Sequence, residues 1–236
     1  RGAELSASRL CKAWRIHMSK QKIRAAVFDL DGTLLDTLYD LAACADKALS
    51  HCGLPGHTME EYRTYIGNGI PKLVERAVPP GTSEEDIKKV LRFYLAYYPE
   101  HCAEHTRFFP GVEKTIRTLH ERGYLLAVLS NKTEATAKKI IDRYFPDAPF
   151  RVVWGNNGVR PLKPATDAGY LLLSELGCGP EEVFYVGDGD TDMEFASRMG
   201  FFAAGATWGY RPSGVLKHCG ADALFSSMEE ILPYLP

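Results

Sequence analysis

The sequence predicts an α/β fold: an open parallel sheet forms the core, and an all-helical module is inserted after the first strand. Three observations carry that expectation. Short apolar runs recur along the chain with helical patterns between them, a long stretch from Leu38 to about Glu104 contains nothing strand-like, and acids stand directly after two of the runs. Continuous apolar runs bounded by turn residues suit strands covered on both faces, and strand alternating with helix gives a parallel sheet with right-handed crossovers.

Taken in order, the strand candidates are Ala25–Phe28, Leu125–Leu129, Val152–Trp154, Val183–Val186 and Phe201–Ala204. Helices are expected at Glu113–Arg122, closed by Gly123, and at Thr133–Tyr144, followed by Pro146. Two more are expected at Asp167–Leu176, closed by Gly177, and at Thr191–Met199, closed by Gly200. Within the strandless stretch, apolar spacing gives helices at Leu38–His51, Met59–Tyr65, Ile70–Val78 and Ser83–Tyr98. They are broken by Gly53-Leu54-Pro55-Gly56, Gly67-Asn68-Gly69 and Pro79-Pro80-Gly81. The core is therefore assigned to residues 18–37 and 105–236, and the helical insertion to 38–104. An insertion at the carboxyl end of a core strand sits over the crevice where such sheets bind ligands, as a lid would.

Composition narrows the functional classes. With 236 residues, 45% hydrophobic and 25% charged, the chain has the balance of a soluble globular protein. A net charge of -2 argues against nucleic acid as a partner, and no apolar run is long enough for a membrane span. The six cysteines show no C-x-x-C pair and no zinc spacing, so reduced thiols and a cytoplasmic setting are expected. Seven basic residues and one acid fall within residues 1–24. This segment has no apolar stretch of the secretory type, and residues 1–17 are set aside as a leader or an added segment ahead of Met18.

The chemistry is concentrated at strand ends. Asp29-Leu30-Asp31-Gly32-Thr33 follows the first strand, and residues two apart on an extended chain share a face. Two carboxylates about 4 Å apart repel by roughly 4 kcal/mol at an effective dielectric of 20, unless a cation or proton intervenes. A second group, Gly187-Asp188-Gly189-Asp190-Thr191-Asp192, follows the strand at Val183–Val186. A helix cap and acidic first turn account for Asp190 and part of Asp192, but not for acids at both strand ends. If the two strands are neighbours, at least four carboxylates converge, and all-oxygen ligands favour Mg²⁺. Ser130-Asn131, just ahead of an expected helix, suits an anion, and Lys163 lies in a loop stiffened by Pro161 and Pro164.

This order of segments, from D-L-D-G-T through Ser130-Asn131 and Lys163-Pro164 to Gly187–Asp192, resembles the haloacid dehalogenase superfamily from about Ile23 to the C-terminus. Tyr65-Ile66-Gly67-Asn68-Gly69 and Thr207-Trp208-Gly209-Tyr210-Arg211 make it most similar to the phosphoglycolate phosphatases within that group. The resemblance implies a Rossmann-like core with a four-helix cap and a Mg²⁺-dependent phosphatase of small phosphate monoesters. By the same resemblance Asp29 is the nucleophile and Asp31 the acid–base. Asp29, Asp31 (through its backbone carbonyl), Asp188 and Asp192 hold Mg²⁺, Ser130, Asn131 and Lys163 bind phosphate, and Thr33 orients the first loop. Gly67-Asn68-Gly69 is the candidate substrate loop, with a plain helix–helix turn as the alternative. Two positions depart from the pattern: Ala165-Thr166 stands where a second proline is common, and Gly189 where serine is common. A phosphomutase or pyrophosphatase of the same superfamily is the alternative, and a non-catalytic phosphate-binding protein a remote one. Asp31 counts against a dehalogenase, and the chain is about twice the length of a signalling receiver domain. The oligomeric state is open between monomer and homodimer.

Overall fold

The computed structural model describes residues 23–147 and 149–236; the leader expected at 1–17 lies outside them. Six parallel strands form one sheet: β1 (Ala25–Phe28), β4 (Leu125–Thr133), β5 (Phe150–Asn156), β6 (Val183–Gly187), β7 (Phe202–Ala206) and β8 (Ala223–Phe225). Their spatial order is β5-β4-β1-β6-β7-β8, which puts β1 at the centre between β4 and β6. Every residue of β1 is buried. Its alternating side chains feed two cores, Ala26 and Phe28 on one face and Ala25 and Val27 on the other, as expected for a strand sandwiched between helical layers.

Four helices follow one another in the strandless stretch: α1 (Leu38–His51), α2 (Met59–Tyr65), α3 (Ile70–Ala77) and α4 (Glu84–His101). Each starts where the local chemistry favours it. Thr58 and Glu61 form a reciprocal capping box ahead of α2, Ser83 caps α4, and Pro71 stands in the first turn of α3. Tyr62, Tyr94 and Tyr98 are fully buried among these helices. The remaining helices flank the sheet: α5 (Val112–Glu121), α6 (Glu134–Tyr144), α7 (Asp167–Leu176), α8 (Asp190–Met199) and α9 (Ser213–His218).

The structure departs from the sequence expectations in three places. A two-residue antiparallel ribbon, β2 (Leu35–Asp36) with β3 (Arg107–Phe108), ties the points where the chain leaves for the four helices and returns. Edge strand β8 and helix α9 are also additional. The third difference matters for function. The second core strand does not stop at Leu129 but runs on to Thr133, because Thr133 pairs with Asn156 of β5. Ser130, Asn131 and Lys132 therefore belong to a strand, and the helix expected at Thr133 starts at Glu134. Among the described residues no helix is long and apolar enough to cross a membrane, and Cys44, Cys52, Cys102, Cys178 and Cys219 are unbridged.

Candidate active site

Two neighbouring strand ends supply the acids. β1 and β6 run in register with Phe28 opposite Val186, and the Asp29 N–H extends the ladder by donating to the Val186 carbonyl at 2.9 Å. Asp29 thus leaves the sheet beside Gly187 and Asp188. The first turn of α8 then brings Asp192 back toward the same point, where its carboxylate accepts from the Gly189 N–H at 2.9 Å. One oxygen each from Asp29, Asp188 and Asp192 lies within 4.8 Å of the other two, and all three residues are buried.

The turn after β1 has to let these groups approach. Gly32 has φ +83°, and a Cβ there would fall 2.2 Å from an Asp188 carboxylate oxygen. From the opposite side, a Cβ on Gly209 would fall 2.3 Å from the Asp188 Cβ and 2.5 Å from the Gly32 carbonyl. Only glycine fits at either position. The segment Trp208–Arg211 packs against the acids as a result: the Tyr210 N–H donates to Asp188 at 2.7 Å, and the Trp208 indole N–H donates to the Thr33 carbonyl at 3.0 Å. Thr33, expected to orient the first loop, donates its hydroxyl to Asp188 at 3.0 Å.

One buried ammonium bridges two of the three acids. Lys163 Nζ lies 2.9 Å from Asp29 and 2.7 Å from Asp192, with the Leu129 carbonyl at 2.7 Å and the Tyr185 hydroxyl at 2.9 Å. Burial pushes the Asp29 carboxyl up from 3.8 to about 6 despite Lys163, with repulsion from Asp192 and Asp31 adding to the rise. Burial likewise raises Asp188 well above the usual carboxylate range, reinforced by Asp192 and Asp29. For Lys163, burial opposes the charge, but the carboxylates of Asp192 and Asp29 outweigh it and hold its pKa above the ordinary value. The cluster is therefore short of positive charge. Its donors are all oxygen, which suits a hard divalent cation such as Mg²⁺, and Asp29, Asp188 and Asp192 are the side chains that would hold it.

The remaining sequence candidates sort by where they point. Ser130, Asn131, Gly67 and Gly69 line the same cavity as Asp29 and Asp188, whereas Asn68 is not among its lining residues. The side chain of Asn131 is committed elsewhere. Its carbonyl accepts from the Lys163 N–H at 2.8 Å, and its amide donates to the carbonyls of Lys163 and Gly67 at 3.1 and 3.2 Å. It braces the lysine loop and the Gly67–Gly69 turn, so phosphate contact through this side chain is not what the geometry favours. The Ser130 hydroxyl oxygen accepts from the Lys132 N–H at 3.3 Å and keeps its own proton to donate. The Asp31 carboxylate accepts from Lys132 Nζ, at 2.8 and 3.0 Å, and from Thr37, at 2.6 Å, while the residue lines the same cavity as Asp29. It is not one of the three clustered acids.

Comparison with known proteins gives the family. The model of the haloacid dehalogenase-like hydrolases matches residues 26–206. The chain belongs to that family. Phosphoglycolate phosphatase of Haemophilus influenzae (strain 86-028NP) is 32% identical to it over 215 residues, covering 88% of this chain and 96% of that protein. The enzyme of the same name from Salmonella typhi is 33% identical over 235 residues, covering 91% and 93%. Among solved structures, a predicted phosphoglycolate phosphatase from Haemophilus somnus 129pt superposes with a TM-score of 0.84 at 30% identity, covering 89% of this chain and 97% of that one. The protein is thus an enzyme, a haloacid dehalogenase-like hydrolase with relatives that cleave a phosphate monoester.

Sequence reasoning missed four residues of this hydrolase's site. Lys132 and Thr37 meet Asp31, Tyr185 donates its hydroxyl to Asp192 at 2.9 Å, and Arg211 reaches from the core to the carbonyl of Arg63 at 2.7 Å and to that of Ile66. Two of them carried a signal: Lys132 directly follows Ser130-Asn131, and Arg211 ends the Thr207–Arg211 segment that supports the resemblance.

Proposed function

We propose that this hydrolase is a Mg²⁺-dependent phosphatase that cleaves a small phosphate monoester, 2-phosphoglycolate being the leading substrate, through a phosphoryl group held on Asp29. The observation that carries the reading is the convergence of Asp29, Asp188 and Asp192, two of which, Asp29 and Asp192, pair with the buried Lys163 ammonium, with Ser130 lining the same cavity as the acids. An anionic nucleophile approaches a phosphate only when positive charge offsets the repulsion.

The contacts support the following roles. Lys163 holds Asp29 in place and screens it from the incoming phosphoryl oxygens. The Ser130 hydroxyl donates to one of those oxygens. Asp29 attacks phosphorus, and the ester bond breaks as Asp31 gives the departing alkoxide its proton. Asp31 then takes a proton from the water that releases phosphate from Asp29. When bound, Mg²⁺ supplies the charge that lets an anionic nucleophile and an anionic ester share the site. The cavity, which opens to solvent on one side, holds about 40 Å³ of water-accessible space, room for a small group. Leu41, Ile66, Ile70 and Leu73 line its far side. This supports a short organic tail and a lid function for the four helices, and unbridged cysteines fit a cytoplasmic setting.

The test is phosphate release from a panel of phosphometabolites with Mg²⁺, wild type against Asp29→Asn. Release from small monoesters, strongest for 2-phosphoglycolate and lost in the variant, is the expected result. Isomerised sugar phosphate without free phosphate would indicate a mutase, cleavage of pyrophosphate in preference to esters would indicate a pyrophosphatase, and undiminished activity of Asp29→Asn would remove the nucleophile.

A further inference from the structure

Lys132 is a second buried ammonium on the cavity wall, and nothing in the roles above uses it. Its side chain is 1% exposed. A charge taken this far out of water is costly unless paired, and both of its hydrogen bonds go to one partner, Asp31 Oδ1 at 2.8 Å and Oδ2 at 3.0 Å. On its other side the ammonium sits 4.9 Å from the centre of the Tyr98 ring. Tyr98 belongs to α4, is fully buried, and has no hydrogen-bond partner for its hydroxyl, so what it offers Lys132 is the ring face. Thr37, immediately before α1, grips the same carboxylate at 2.6 Å, and its N–H donates to the Tyr210 hydroxyl at 2.9 Å.

We propose that Lys132 is a positioning residue: clamped between the Asp31 carboxylate and the Tyr98 ring, it fixes the direction in which Asp31 exchanges its proton and makes that direction depend on helix α4. The inference rests on the reading of Asp31 as acid–base. In the first step an Asp29 oxygen–phosphorus bond forms, the ester oxygen–phosphorus bond breaks with its electron pair going to oxygen, and the Asp31 proton moves to that oxygen. In the second step water loses a proton to Asp31 as its oxygen joins phosphorus and the Asp29–phosphorus bond breaks. A carboxyl group free to rotate would serve neither transfer well.

Leaving-group dependence isolates this role, because an alkoxide needs the proton and a nitrophenolate hardly does. For Lys132→Met, kcat/KM should fall by about 10²-fold with 2-phosphoglycolate and by less than about tenfold with p-nitrophenyl phosphate. Tyr98→Leu should shift the ratio between the two esters in the same direction, by about tenfold. Tyr98→Phe, which keeps the ring, should restore the wild-type ratio. If Lys132→Met fails to fold, the two Tyr98 variants decide the matter by the same ratio. Equal losses on both esters, or no loss, in a folded variant would overturn the proposal while leaving the phosphatase reading intact. A wild type that hydrolyses neither ester would remove the phosphatase reading and the positioning role together.

Discussion

The floor and the roof of the cavity are built on opposite principles. The floor, at the ends of β1 and β6, crowds the buried Asp29, Asp188 and Asp192 together, with Lys163 paired to Asp29 and Asp192. Asp29 sits at about 6 and Asp188 well above its usual range. The roof offers Leu41, Ile66, Ile70 and Leu73 from the inserted helical segment, with no carboxylate of that segment among the cavity's lining residues. A floor of this kind is poor for stability, since buried charges cost more than they return unless fully paired. On the proposed reading it is machinery for the phosphoryl group every substrate shares. The apolar roof stabilises the protein by ordinary burial and, on the same reading, meets the part of the substrate that differs. Chemistry and selection are then divided, as proposed, between two elements of one chain.

Substitutions should separate the two regions, with the largest effects on the floor. Asp29→Asn is expected to lower Mg²⁺-dependent phosphate release by roughly 10³-fold or more with circular dichroism unchanged. Lys163→Met should cost both functions of the floor. Activity should fall by about 10²-fold or more, and chemical denaturation should register a loss of roughly 3–5 kcal/mol, because Asp29 and Asp192 are left buried without their shared cation.

The third prediction concerns pH and metal together. Because the folded pKa of Asp29 is raised from 3.8 to about 6, its contribution to stability is present in full below about 3.8 and is lost as pH rises through about 6. Asp188 shifts in the same direction. The thermal midpoint of metal-free protein should therefore decline across that window, and Mg²⁺ should flatten the decline. Asp188→Asn should raise the metal-free midpoint at neutral pH and shrink the rise produced by Mg²⁺. A metal-free midpoint that increases with pH through 6 would contradict the account of the floor.

On the roof the effects are smaller and of another kind. Leu73→Ala should keep kcat for 2-phosphoglycolate within about tenfold of wild type while improving turnover of bulkier esters. It should also lower stability by about 2–5 kcal/mol, since Leu73 is 2% exposed. A loss of chemistry comparable to that of Asp29→Asn would erase the distinction between floor and roof.

The floor was readable from the sequence to the degree that it is local. Asp29-Leu30-Asp31-Gly32 and Gly187–Asp192 each announce a strand end in a few residues, and a parallel sheet that places β1 beside β6 brings them together. What pairs across the chain was hidden. Lys132 meets Asp31 across 101 positions, and no spacing rule in a single sequence selects that partner from the other lysines. The two-residue ribbon of Leu35–Asp36 with Arg107–Phe108 is too short to show a period. The strand end at Leu129 was misjudged because pairing, rather than hydrophobicity, carries β4 through Ser130-Asn131-Lys132 to Thr133. Asn131 looked like an anion ligand because its neighbours do, yet its amide spends its hydrogen bonds on Lys163 and Gly67.

Acid quenching during turnover of 2-phosphoglycolate with Mg²⁺, followed by mass spectrometry of the digested protein, addresses the central claim without relying on any variant. The account predicts one added phosphoryl group on the peptide that contains Asp29, present only while substrate remains. Steady turnover with that peptide unmodified, or with the phosphoryl group on another residue, would contradict it.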